Sequence, residues 1–225
     1  MDKIKKLREI LYATSQAYKD FMTSFSYGKT TDELFFAFRN SLRESLGKYE
    51  IVYDYIWGKD SANIDGITVG SYVPQEGDTL IMDISVGKDG IWCDVCRTFF
   101  VGEPTKEQRE TFEWIKEILR AGQQTLKTGV QASEIYKIIN AMYEMRGKTL
   151  VHHAGHRIGE KPLLQPQFLM GNDAPIVMGE IYTLEPGFYE NFGIRLENDF
   201  LITEDGAVDL FEELMPLKIE EFILQ

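Results

Sequence analysis

Apolar residues recur at helical spacing over residues 3–25, through Ile4, Leu7, Leu11, Tyr18, Met22 and Phe25. Gly28 ends that stretch, and Thr30 to Glu33 has the spacing of a capping box, so a second helix is expected to run to about Leu46 and stop at Gly47. The pattern then turns to strands at EIVYDYIW (50–57), TLIMDISV (79–86) and IWCDVCRTFFV (91–101). Thr105 and Gln108 repeat the capping box, ahead of a long helix with Phe112, Ile115, Ile118, Leu119 and Leu126 on one face, ending near Gly129. Ile135, Ile138, Ile139 and Met142 mark a fourth helix that stops at Gly147. Strands return at TLVHH (149–153), EIYTLEPGFY (180–189) and GIRLENDFLIT (193–203). The order helix, helix, hairpin thus occurs twice. It predicts an α+β chain built from two αβ halves related by a pseudo-twofold axis, with no Pro-, Gly- or Ser-rich linker dividing residues 1–225.

The polar positions inside the strands carry the chemistry. Asp83 and Asp94 stand at mirror positions about Gly87-Lys88-Asp89-Gly90, so the hairpin is expected to set them directly opposite, with Cβ atoms about 5 Å apart. Two bare carboxylates at that distance repel, which calls for a cation between them. Glu185 and Glu197 form a second acidic pair with nearly the same spacing, and His156 falls between the pairs. The chain has 36 acids, so solvated turn-flanking residues are the competing reading. Asp83 lies within Leu-Ile-Met-Asp-Ile, however, and Glu185 follows Ile-Tyr-Thr-Leu. Runs of that kind are buried on at least one face, where a carboxylate is costly unless paired or metal-bound. Four hard oxygen donors and one imidazole suit two divalent ions, with manganese favoured and cobalt, iron or zinc as alternatives. Such a pair activates a shared water as a bridging hydroxide and polarises a carbonyl, which is a design for hydrolysis.

The three histidines are His152, His153 and His156. Gly155 and Gly159 argue against a helical His-x-x-x-His zinc pair. His156 is the expected ligand, His152 a nearby group that contacts either the substrate or a metal ligand, and His153 is expected to point away because adjacent strand side chains alternate. Cys93 and Cys96 form a C-x-x-C on a strand, so they face opposite sides and read as packing residues rather than as a redox or zinc motif.

Composition narrows the partners. A net charge of −12 argues against a nucleic-acid partner, which requires a basic footprint. The N-terminal segment mixes charges into its apolar positions and reads as neither signal peptide nor membrane span, leaving the cytoplasm as the expected setting. With 225 residues the chain buries enough surface to fold without disulfides.

At these positions the sequence resembles the pita-bread metallopeptidases, the group of methionine aminopeptidase, aminopeptidase P, Xaa-Pro dipeptidase and creatinase. The resemblance rests on Asp83 and Asp94 eleven residues apart, Arg97-Thr98-Phe99 and Val101-Gly102-Glu103-Pro104. It continues through His152-x-x-x-His156 with Ile158-Gly159, Glu185-Pro186-Gly187-Phe188-Tyr189, Gly193-Ile194-Arg195-Leu196-Glu197 and Thr203-Glu204-Asp205-Gly206. It implies a curved antiparallel sheet holding two metals. Asp83 would chelate one ion, Asp94 and Glu197 would bridge both, and His156 and Glu185 would complete the other site. Glu185 would also shuttle a proton, and Arg195 would help organise the site. The EPGFY and GIRLEN forms look most like the Xaa-Pro branch, implying an exopeptidase acting on a dipeptide or short peptide, in a single catalytic domain without that branch's N-terminal domain. No organic cofactor, nucleic acid or membrane is implied, and the oligomeric state is left open.

The sequence also departs from the family pattern. A histidine is missing upstream, where this chain has Asn63-Ile64-Asp65-Gly66, and another is missing where it has Leu163. In the family these two imidazoles contact the scissile amide and the tetrahedral intermediate. Two other functions therefore stay open: a non-peptide C–N substrate, as in creatinase-like relatives, and a non-catalytic peptide-binding module.

Overall fold

A computed structural model describes residues 2–57 and 72–225, with side chains from Lys3 to Val52 and from Tyr72 onward. The segment Asn63–Gly66, including Asp65, lies outside the described residues. Helix α1 spans Asp2–Ser24 and α2 Thr31–Leu46. Leu7, Leu11, Tyr18 and Phe25 of the predicted stripe are buried, joined by Phe21, while Ile4 and Met22 are partly buried at its margins. Both halves of the Thr30–Glu33 capping box form, and Gly47 with φ of 70° ends α2 where expected. Three antiparallel strands follow: β1 (Glu50–Trp57), β2 (Thr79–Lys88) and β3 (Ile91–Val101), each close to its predicted bounds.

The β2–β3 register differs from the expected one by a step that matters. Lys88 pairs with Ile91, so the turn contains only Asp89 and Gly90, with φ of 53° and 72°. Two left-handed residues, Asp then Gly, make the turn whose twist matches the flanking strands. Asp83 therefore pairs with Cys96, and Asp94 with Ser85. The two aspartates share a face but sit diagonally, about 7–8 Å apart by the usual sheet spacing, rather than directly opposite. The offset gives Asp94 a cross-strand donor: Ser85 Oγ donates to its Oδ1 at 2.8 Å. Cys96 lies on this acidic face and Cys93 on the other, where its Sγ is 3.7 Å from Thr14 Oγ1 of α1. Both thiols are free and buried.

The second half begins with α3 (Lys106–Thr125), capped by Thr105 and Gln108, and α4 (Ala132–Glu144). Phe112, Ile115, Ile118 and Leu119 of α3 are buried together with Ile135 and Ile139 of α4, whereas Ile138 is 45% exposed. Then come β4 (His156–Ile158), β5 (Leu164–Gln167), β6 (Ile181–Leu184), β7 (Gly187–Tyr189), β8 (Gly193–Arg195), β9 (Asn198–Thr203) and β10 (Gly206–Asp209). A short 3₁₀ turn leads to β11 (Ile223–Leu224), which joins β3 in parallel. The strands form sheets ordered β1-β2-β3-β11 and β10-β9-β6-β4-β5, with β7-β8 as a separate ribbon.

The expected strand at 149–153 is absent; that stretch is irregular and regular pairing starts at His156. Gly155 explains the break. Its φ is 152°, and a Cβ there would lie 2.1 Å from the Thr183 carbonyl oxygen, so the backbone crosses β6 too closely for any side chain. No helix among the described residues is long and apolar enough to cross a membrane.

Candidate metal centre

The second acidic pair arises from a break in one long ribbon. The β6–β9 ladder ends with Leu184 opposite Asn198, and the β7–β8 ladder resumes in the same register with Gly187 opposite Arg195. Leu196 N still donates to Pro186 O at 3.2 Å across the gap. Glu185 and Glu197 are therefore directly opposite each other within the interruption. Pro186 has no N–H to give to a ladder, which suits it to this position. The freed backbone groups pair outward. Glu185 N donates to Ala154 O at 3.1 Å, and Glu197 exchanges bonds of 3.1 and 3.2 Å with Cys96. One glutamate is thus docked on the approach to β4 and the other on β3, which draws both acidic pairs and His156 together.

Two residues of β3 lock this seam. Arg97 is fully buried: Nη1 donates to the carbonyls of Cys96 (2.8 Å) and Glu197 (3.0 Å), Nη2 to Met215 (3.0 Å), and the guanidinium lies 4.6 Å over the Phe211 ring. Thr98 Oγ1 donates to Arg195 O and accepts from Arg195 N, both at 2.9 Å. That pair of bonds holds the backbone that carries Arg195 into the site.

Asp83, Asp94, His156, Glu185 and Glu197 are all buried. Ligand atoms of Asp94, His156 and Glu197 lie within 4.8 Å of one another. His156 Nε2 is 3.5 Å from Asp94 Oδ2 and 3.8 Å from Glu185 Oε1. Its Nδ1 is 3.0 Å from the Arg157 carbonyl, which can only accept, so Nδ1 carries the proton and Nε2 faces the carboxylates. That is the outer-sphere arrangement that orients a metal-binding imidazole. Arg195 occupies the middle: Nη1 is 3.2 Å from Asp83 Oδ2, while Nη2 pairs with Glu185 Oε2 and lies 3.7 Å from Glu197 Oε2.

One cation does not satisfy four buried acids. Neither oxygen of Glu197 has a hydrogen-bond partner among the described residues. Burial, then the nearby Asp94 and Glu185 charges, hold the Glu197 carboxyl well above the usual range. Burial likewise raises Asp83 to about 7 despite Arg195. Burial opposes charge on His156, but the Asp94 hydrogen bond and the Glu185 charge outweigh it and raise the imidazole to about 9. Glu185 goes the other way: burial would raise it, but Arg195, His153 and His156 together pull it below the ordinary range. An orphaned carboxylate beside an oriented imidazole and three more acids is a donor set that fits divalent cations.

The structure brings all five expected ligand residues and Arg195 into one cluster. His152 stands at its edge. Its Nδ1 donates to His153 O at 2.6 Å, its Nε2 is 3.3 Å from the Tyr189 hydroxyl, and burial, with Arg195 behind it, lowers it to about 4. The expectation for His153 is overturned. Its Nδ1 lies 2.8 Å from Glu185 Oε1, because the irregular backbone before Gly155 does not alternate as a strand does. Gly155 was the signal available in the sequence. Arg97, Thr98 and Ser85 act on the site through backbone or second-sphere bonds that no spacing rule reveals. Leu163 is partly buried in the bend before β5.

Comparison with known proteins agrees with this geometry. The description "Metallopeptidase family M24" matches residues 5–204. A Xaa-Pro dipeptidase of Lactobacillus helveticus is 31% identical over 154 residues, which cover 66% of this chain and 41% of that protein. A probable dipeptidase PepE of Mycobacterium tuberculosis is 30% identical over 141 residues, covering 60% and 38%. The chain therefore spans less than half the length of these curated relatives. Among solved structures, the prolidase from Pyrococcus furiosus superposes with a TM-score of 0.85 at 24% identity, over 93% of this chain and 64% of that one. A Xaa-Pro dipeptidase from Bacillus anthracis gives 0.86 at 23% identity, over 94% and 61%. These likenesses bear out the pita-bread fold expected from the sequence.

Proposed function

The chain belongs to metallopeptidase family M24, and from that premise we propose that it is a dinuclear metal-dependent hydrolase, an aminopeptidase or dipeptidase of Xaa-Pro type acting on short peptides. The observation that carries the reading is Glu197, buried with neither oxygen hydrogen-bonded among the described residues, beside Asp94 and His156. Asp83, Asp94, His156, Glu185 and Glu197 would hold two divalent ions, manganese first and cobalt, iron or zinc as alternatives. Bound there, the pair would supply a nucleophile activated at neutral pH and an electrophile for the substrate carbonyl.

The protein's own groups have separable tasks in this reading. Glu185, kept ionised by Arg195 and so free to accept, would take the proton from the attacking water and pass it to the leaving amine, the role that the family resemblance implies. Arg195 keeps Asp83, Glu185 and Glu197 from repelling one another. His152 is neutral, and the Tyr189 hydroxyl can donate to its Nε2, which fixes the ring at the edge of the site as a substrate-side group. The peptide preference is supported by the names of the relatives.

The test is manganese-loaded protein assayed on Xaa-Pro dipeptides, with Glu197→Gln as control. Turnover by the native protein that falls at least a hundredfold in the variant is expected, and equal turnover by both would sink the reading. One observation favours a second substrate class: all three imidazoles lie within residues 152–156, leaving Leu163 apolar. Turnover confined to non-peptide C–N substrates in the same assay would establish that alternative.

A further inference from the structure

Glu185 is gripped from both sides. Its Oε2 pairs with Arg195, and its Oε1 lies 2.8 Å from His153 Nδ1. That nitrogen is buried and makes no aligned hydrogen bond among the described residues. A bare nitrogen lone pair and a carboxylate oxygen repel at this distance. The approach is attractive only if one atom carries a proton. The other oxygen, Oε2, already meets the Arg195 guanidinium, which can only donate, so it accepts as in an ionised carboxylate and the proton is placed on nitrogen.

The other two imidazoles are committed elsewhere. His156 gives Nδ1 to Arg157 O and turns Nε2 between Asp94 and Glu185. His152 gives Nδ1 to His153 O and meets Tyr189 with Nε2. Only His153 directs a ring nitrogen to Glu185 alone. The His152 bond also restrains the backbone that sets the His153 ring in place, and that ring is 23% exposed, so it spans from the carboxylate to the open side.

We propose that His153 is a positioning residue for Glu185, donating from Nδ1–H to Oε1 and so fixing how that carboxylate faces the metal pair. The proposal rests on the dinuclear reading above. A carboxylate ligand free to rotate presents its lone pairs to an ion only part of the time. A donor on one oxygen and Arg195 on the other remove that freedom before the ion arrives. Groups that restrain a ligand in this way typically contribute about 10–100-fold in metal affinity.

With three histidines in the chain, ¹⁵N-histidine labelling gives a simple spectrum in which protonated, lone-pair and zinc-bound ring nitrogens have distinct shifts. The metal-free and zinc-loaded protein are compared. On loading, His156 Nε2 is expected to take a zinc-bound shift while His153 Nδ1 stays a protonated N–H. In parallel, His153→Leu should weaken one zinc-binding step about 10–100-fold, and His153→Asn, whose amide N–H falls near the position of Nδ1, should recover most of the loss. A zinc-bound shift at His153 Nδ1 would make it a ligand and overturn the proposal, as would native affinity in the Leu variant. If His156 moves and His153 loses its Nδ1 proton, the proposal fails while the dinuclear reading stands. If no ring nitrogen responds to zinc, both fail together. The labelled native protein decides the matter even if the Leu variant does not fold.

Discussion

On the proposed dinuclear reading, lowering the pH should weaken metal binding, and the structure sets how steeply. The metal-free site stores protons. His156 is raised to about 9, so it carries nearly one proton at pH 7 that an ion on Nε2 must displace. Glu197 is held well above the usual carboxylate range, mainly by burial and the neighbouring Asp94 charge, which favours its protonated form. Asp83, raised to about 7, carries about half of one. Glu185, held ionised, contributes none. Loading two ions at pH 7 should therefore release more than one proton, because a ligand must be deprotonated to bind. Deprotonation of a bound water would add to that count. Each proton released changes the logarithm of overall affinity by one per pH unit. Going from pH 7 to pH 6 should thus cost at least about 2 kcal/mol over both ions. Isothermal titration calorimetry in buffers of different ionisation enthalpy measures the proton count directly. A binding enthalpy independent of buffer, or an overall affinity unchanged between pH 6 and 8, would refute the reasoning: either the acids are not proton-loaded, or the ions bind elsewhere.

The same shifts act on folding of the metal-free protein. Asp83, Glu197 and His156 are all raised in the folded state, so the stability they confer is complete below their unfolded values and is lost as pH rises through the folded ones. The Tm of metal-free protein should fall progressively from about pH 5 to pH 9, while that of loaded protein should be flatter; a metal-free Tm that rises over this window would contradict the site's electrostatics. Tyr143→Phe tests the support under the ribbon. The Tyr143 hydroxyl donates to Gly187 O at 2.8 Å and accepts from Gly187 N at 2.9 Å, and the ring is buried, so the substitution leaves two buried backbone groups unpaired. Urea denaturation should show a loss of about 2–4 kcal/mol, and a loss below about 1 kcal/mol would mean that Gly187 finds other partners.

What could be read in advance divides along a physical line. Helices with capping boxes and strands of alternating or wholly apolar residues fell within a few residues of their predicted bounds, because cap chemistry and burial act over three or four positions. The Asp83–Asp94 register was misplaced because it depends on which residues adopt positive φ, and Gly87-Lys88-Asp89-Gly90 offers two ways to centre a turn. One step in register left both acids on one face, so the cluster survived the error; a slip of one residue on a single strand would have separated them. The 149–153 stretch failed for a different reason. Its Thr, Leu and Val have strand propensity, but Gly155 must pass against the Thr183 carbonyl, and that contact joins residues 28 positions apart. Gly155 marks the bend locally, but nothing near it in sequence names Thr183 as its partner. His153 follows from it, since a histidine judged by strand alternation turns outward and one on an irregular bend meets Glu185. The burial of the four acids was legible because each sits in or beside an apolar run, where a carboxylate is costly. The groups around them are set by tertiary contacts: Ser85 by the β2–β3 register, Thr98 and Arg97 by the meeting of β3 with the broken ribbon, and His153 by the bend before β4.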